Sequence, residues 1–290
     1  MAKALHRSLI LFLALLMLPA ALPAKTKKEP VSPPPPKINK KDIKVDKKDM
    51  ESDRDLKRHV KRYRGEVCIE GIPMIDQGSD PSCAIATLKR LLDYYSEHNK
   101  ITMGKLGKAM GYDKSKGTNV VQMVEQIKKY SSTIRLSPVD LYKFMWTVGD
   151  LKQALTDYNK VAERRDQVSI PADAALQTAG FVSFIRKIDY KAWKKMRGRD
   201  KAAKGCWESL AKQIDQGIPV LWSVNLGLYN EQKGNGSKPG GHMRMIIGYN
   251  DKKKQIIYTD SWGSGHEKKY MSWEDAWAIT QSAIVLLPRN

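Results

Sequence analysis

Residues 241–263, GHMRMIIGYNDKKKQIIYTDSWG, contain two apolar runs, HMRMIIGYN and QIIYTDSWG, separated by the charged turn DKKK. Runs of this length rich in Ile, Tyr and Thr, bounded by turn residues, read as the two strands of an antiparallel hairpin. Antiparallel pairing sets the start of the first strand beside the end of the second. His242 and Asp260 therefore come within hydrogen-bonding reach although 18 positions separate them. IPVLWSVNL (218–226), ahead of the Gly-rich loop KGNGSKPGG (233–241), reads as another strand, as do KKYMSW (268–273) and AIVLLP (283–288), with WEDAWAIT helical between those two.

The chain before residue 217 has a different period. In QGSDPSCAIATLKRLLDYYSEH a turn leads into a helix at Cys83, with Ile85, Leu88, Leu91, Leu92 and Tyr95 at the spacing of one face. Ser82 or Asp80 can cap it, and Asp76 and Asp80 suit the turn. TMGKLGKAMG, TNVVQMVEQIKKY, SPVDLYKFMWTV, DLKQALTDYNKVAERR and CWESLAKQIDQ read as helices, and FVSFIRKI (181–188) as a strand. GEVCIEGIPMIDQ (65–77) is a strand or extended lead-in. A helix-rich front and a strand-rich back indicate an α+β domain rather than alternating βαβ units.

Outside residues 65–290 the composition is of another kind. Residues 1–24 carry a short basic start, an apolar run and the small-residue exit PAALPA, the pattern of a secretory signal peptide; the alternative is an uncleaved anchor. Residues 25–64, rich in Lys and Pro, read as an extended or disordered tether, either a plain spacer or a pro-segment covering an active site. The formal charge is +20, and residues 1–65 hold 17 Lys or Arg against 7 Asp or Glu. Such a balance favours association with anionic surfaces through the tether. Zinc-finger spacing and RRM-like aromatic signatures are lacking, so no nucleic-acid partner is expected. Contact with a membrane is expected only transiently, through the signal peptide, which implies secretion or residence in the periplasm or cell envelope.

Export also implies a disulfide-permissive compartment, and the chain has three cysteines. Either Cys68 pairs with Cys206 or all three are free; both leave Cys83 unpaired. A thiol at a helix N-terminus feels the positive end of the backbone dipole, and an adjacent imidazolium favours the thiolate further. Cys83, His242 and Asp260 thus form a candidate nucleophile, acid/base and orienter. The amide of Gln77, with the Cys83 N–H, is placed to bind a developing oxyanion. His266 is the rival histidine. The histidines lack metal-ligand spacing, and neither metal nor cofactor is expected.

At these residues the sequence resembles the papain-like cysteine peptidases: Gln77 six residues before Cys83 at a helix start, GHMRMIIGYN with its histidine, and YTDSWG beside that family's Asn-Ser-Trp-Gly. GIPMIDQ, QGIPVLWSV, Asp as the third member and the absence of Gly-Ser-Cys-Trp are similar to the bacteriocin-processing (double-glycine) peptidase-like branch. The resemblance implies a papain-like α+β fold, a helical half carrying the nucleophile helix against an antiparallel sheet half. It implies Cys83 as nucleophile, His242 as acid/base, Asp260 as orienter and Gln77 as oxyanion donor, with Trp262 shielding the His–Asp pair and Gly241 and Trp262 bordering bound substrate. The expected activity is hydrolysis of a peptide or protein substrate through a thioester. The alternatives are a transglutaminase-like acyltransferase or amidase on envelope peptides, or a non-catalytic binding domain.

Overall fold

The computed structural model describes residues 38–144, 147–171, 184–231 and 239–289. The signal-peptide pattern, the Pro-rich part of the tether and most of the Gly-rich loop lie outside the described residues. The helices are α1 (Asp53–Arg58), α2 (Cys83–Tyr95), α3 (Met103–Met110), α4 (Val120–Lys129), α5 (Ser131–Ile134), α6 (Val148–Glu163), α7 (Tyr190–Arg197), α8 (Ala202–Asp215) and α9 (Trp273–Ile279). The strands are β1 (Val60–Tyr63), β2 (Glu66–Ile69), β3 (Leu136–Lys143), β4 (Val220–Leu226), β5 (Gly240–Asn250), β6 (Gln255–Thr259), β7 (Lys269–Ser272) and β8 (Thr280–Pro288).

All strand pairs are antiparallel, in the order β1-β2-β5-β4-β8-β3, with β6 pairing β5 and β7. The expected α+β arrangement, with the Cys83 helix against an antiparallel sheet, is the one observed. Strand β5 is its axis. It pairs with β2, β4 and β6 and is buried from His242 onward, which is why it reads as a near-continuous apolar run instead of an alternating one.

Helix α2 lies against β5, and its contact face is only partly apolar. Cys83, Thr87 and Arg90, spaced by four and three, form one stripe. Thr87 Oγ1 donates to the carbonyl of Met243 at 3.3 Å. Arg90, 1% exposed, donates to the carbonyls of Pro73 (2.7 Å) and Asp260 (2.8 Å) and to Thr259 Oγ1 (2.8 Å). One guanidinium therefore ties α2 to the end of β6 and to the chain leading into the helix.

Three segments differ from the sequence expectation. The tether does not extend to residue 64: from Ile38 the chain is folded, with Ile43, Val45, Met50 and Leu56 buried in the core. Val45 N donates to the Thr133 carbonyl and Glu51 N to the Tyr95 carbonyl, both at 2.9 Å. Isolated apolar anchors among lysines vanish in a compositional average, yet each fully buried one contributes roughly 1.5–3 kcal/mol. The arm also fits closely at Gly217 (φ +77°), where a Cβ would lie 2.2 Å from the Leu56 carbonyl oxygen. Its charged residues then lead into β1, which pairs with β2.

SPVDLYKFMWTV was expected as a helix, but Leu136–Lys143 is strand β3. Pro138 is tolerated there because β3 is at the end of the strand order, where a missing ladder donor costs little. Of FVSFIRKI, the described residues form a turn and the 3-10 helix Ile185–Lys187 instead of a strand.

Candidate active site

The hairpin delivers its two polar ends as the register predicts. Met245 pairs with Thr259, so the start of β5 and the residue after β6 face each other. His242 Nε2 and Asp260 Oδ1 are 2.6 Å apart, both side chains almost wholly buried. With Nε2 so engaged, Nδ1 is the ring nitrogen left for the Cys83 thiol, which lines the same cleft, and each group shifts the other's pKa. Trp262 stacks on the imidazole, ring centres 4.3 Å apart and planes within 10°, which screens the His–Asp bond from water.

The electrostatics of the three groups are coupled. Burial alone would raise the Cys83 pKa, but the hydrogen bond and charge of His242 and the N–H groups of Met243 and Ala84 hold it below the ordinary thiol value. Burial would lower the His242 pKa, yet Asp260 and Cys83 raise it. Asp260 resists its own burial because Arg244, then His242, then Lys269 favour the carboxylate. The arrangement favours a thiolate–imidazolium pair.

The other thiols behave oppositely. All three cysteines are unpaired, so of the two alternatives the structure takes the one without a Cys68–Cys206 bridge. Burial pushes Cys68 up to about 11 and Cys206 up to about 12.

The turn before α2 is pinned to the segment after Asp260. Gln77 N donates to the Ser261 carbonyl at 2.9 Å, and Ser261 Oγ donates to Gln77 Oε1 at 2.8 Å. One N–H of the Gln77 amide donates to the Asp80 carbonyl at 2.8 Å, which fixes the plane of the group. Asp76 accepts from Gly78 N at 2.8 Å and bridges to Trp262. Gly263 (φ +77°) is required here, since a Cβ would meet Asp76 Oδ2 at 2.8 Å. The DSWG motif is thus one half of a clamp whose other half is the Asp76–Gln77 turn.

The expected side-chain cap of α2 is not formed: Ser82 is the N-cap residue without a side-chain hydrogen bond. Of the first-turn N–H groups, unpaired within any helix, that of Ala84 favours the Cys83 thiolate. The cleft, about 860 Å³, is lined by Gln77, Cys83, Gly241, His242, Trp262 and, opposite, Gln281. Every sequence-predicted site residue reaches it except Asp260, which lies behind His242. The rival His266 meets the edge of Trp262 and the Nζ of Lys269 instead of the thiol.

Arg244 was not foreseen. It is fully buried, its Nε 3.2 Å from Asp260 Oδ2, and its NH1 and NH2 donate to the two carboxylate oxygens of Glu231 at 2.6 and 2.8 Å. Tyr258 OH donates to Glu231 Oε2 at 3.2 Å. The guanidinium lies among the rings of Trp222, Tyr258 and Trp262, which accept its charge on their faces. The signal in the sequence was the His-x-Arg spacing: on a strand, positions two apart share a face.

The family model described as Peptidase_C39 like family matches residues 177–285. Over that segment the chain resembles the C39-like peptidases. The match takes in His242, Asp260 and Trp262 and begins after Gln77 and Cys83, and it agrees with the resemblance seen in the motifs. Among solved structures, a Bacillus anthracis protein described as a C39-like peptidase is 13% identical, with a TM-score of 0.41 over 78% of this chain and 98% of its own. Xylellain, a cysteine protease from Xylella fastidiosa, is 15% identical, with a TM-score of 0.39 over 88% and 95%. No curated protein matches the chain.

Proposed function

We propose that the protein is an exported thiol peptidase that hydrolyses peptide bonds through a Cys83 thioester. The observation that carries this reading is the Cys83 thiol, at an uncapped helix start, on the same cleft as His242, itself held by Asp260 at 2.6 Å. The family match supports a cysteine peptidase in general terms, and export rests on the pattern of residues 1–24.

In the proposed reaction the Cys83 thiolate attacks the substrate carbonyl carbon and its π electrons move to oxygen. The Gln77 amide and the Cys83 N–H stabilise that oxyanion. Collapse expels the amine, which takes the proton from His242 and leaves a thioester. Water then gives its proton to neutral His242 and attacks the thioester, releasing the acid and restoring the thiolate–imidazolium pair. Asp260 keeps the ring in one orientation through both proton transfers.

Cleavage of a peptide library, followed by mass spectrometry beside Cys83→Ala, tests this. Turnover in the variant is expected to fall at least about 10⁴-fold, and iodoacetamide labelling at mildly acidic pH to disappear with it. Labelling that persists and maps to Cys68 or Cys206 would sink the assignment. Transfer of the acyl group to an added amine in place of hydrolysis would instead make the protein an acyltransferase.

A further inference from the structure

The site does not end at Asp260. Behind it the structure sets Arg244 and then Glu231, so that Cys83, His242, Asp260, Arg244 and Glu231 form one line of contacting groups, negative, positive, negative, positive, negative in the ion-pair state. A lone carboxylate buried with an imidazolium would bind its proton very tightly and make the ring a poor acid. A buried arginine without its own counter-ion would do the reverse. Glu231, 10% exposed, takes both guanidinium NH groups, which leaves Nε as the part of Arg244 turned to Asp260.

We propose that Arg244 and Glu231 are positioning residues that set the basicity of His242 through Asp260: Arg244 draws on the Asp260 carboxylate, and Glu231 limits how strongly it does so. This rests on the Cys83–His242 reading above. Neither residue touches the thiol or lines the cleft, so each acts on the reaction only through Asp260. The aromatic cage of Trp222, Tyr258 and Trp262 keeps water out of the pair, and the interaction there is stronger than between the same charges at a surface. The other titratable groups facing this line are Arg90 from α2, Tyr258 from β6, and His266, Glu267 and Lys269 beyond β6, with Tyr112 beside the thiol. All of them stay unchanged in the variants below.

The two residues carry opposite charge, so the inference predicts opposite signs. In Arg244→Gln a cation is lost next to Asp260, so His242 holds its proton to higher pH and its lasting charge favours the Cys83 thiolate at lower pH. In Glu231→Gln an anion is lost, the Arg244 charge is no longer offset, His242 releases its proton at lower pH, and Cys83, with less imidazolium beside it, holds its proton to higher pH. A residue that merely supported packing would lower the rate without moving the profile in a charge-dependent direction.

The experiment is the rate of Cys83 alkylation by iodoacetamide against pH, which needs no substrate. The transition is expected to move down by up to about one pH unit in Arg244→Gln and up by a comparable amount in Glu231→Gln, for charges at this separation. Glu231→Gln/Arg244→Gln together is expected to lie between them, near the unaltered protein. Shifts of the same sign, or an unmoved profile in both, overturn the inference. Should Arg244→Gln fail to fold, the Glu231→Gln profile decides alone: an upward shift supports it, and a downward or unmoved one ends it. Failure of the underlying reading looks different, because the unaltered protein would then show no alkylation of Cys83 below the ordinary thiol range.

Discussion

The two walls of the cleft are built on different principles. The sheet wall carries His242 and Asp260 on paired strands, buried, backed by Arg244 and enclosed by aromatic rings. The helix wall carries Cys83 and Gln77 at a turn whose residues 78–81 are exposed. It meets the sheet wall through a few side chains: Arg90, Thr87 and the Gln77–Ser261 pair. The half with His242 and Asp260 is thus fixed by its own interior. The half with Cys83 is placed by being fastened to it.

If that contrast holds, the fastenings are more sensitive than their number suggests. The largest effect is expected at Gln77→Ala, which removes both a clamp to Ser261 and the proposed side-chain donor to the oxyanion. Loss of one such donor typically costs about 10²–10³ in kcat, measured as kcat with KM little changed; an unaltered kcat would remove Gln77 from the oxyanion site. Next is Arg90→Met. It leaves the Pro73 carbonyl without a donor and the Asp260 carbonyl with only the 3.4 Å bond from Thr259 Oγ1, a loss of about 1–3 kcal/mol per donor removed. Urea unfolding should show destabilisation of that order, with a fall in Cys83 alkylation at acidic pH as the helix loosens. A variant as stable as the parent would show that α2 is held by its apolar face alone.

The smallest effect is the pH dependence of stability, which separates the two members of the sheet wall. Asp260 has a folded pKa below its unfolded value, near 3.9. Its contribution is present above that value and is lost as pH falls through the folded one. His242 has a folded pKa above its unfolded value, near 6.5. Its contribution is complete below that value and is lost as pH rises through the folded one. Urea midpoints should therefore decline at both ends, and Asp260→Asn should flatten both declines. A variant that keeps the parent's full alkaline decline would mean that the pair is not coupled in the folded state.

The same contrast explains what could be read from the sequence. The hairpin of residues 241–263 and the start of α2 at Cys83 were legible because strand register and helix period are local properties. So was the meeting of His242 with Asp260, which follows from the hairpin alone. The folded arm of residues 38–58 was not, since its few apolar anchors are spaced irregularly among lysines and gain their energy from distant partners. Strand β3 was missed because its burial is uneven along its length, and pairing with β8 decided its form. Arg90 and Arg244 were passed over for a related reason: charged residues inside apolar runs look like solvated faces until the groups that receive them are known.

The bonds that fasten the two walls join residues far apart along the chain, 170 positions for Arg90 to Asp260 and 184 for Ser261 to Gln77. Contacts of this span form late and slowly. During synthesis Cys83 emerges long before the segment that carries His242 and Asp260, and until then it lacks the partners that lower its pKa. The proposed chemistry is therefore switched on by completion of the polypeptide, so a nascent or unfolded copy carries no reactive site of its own.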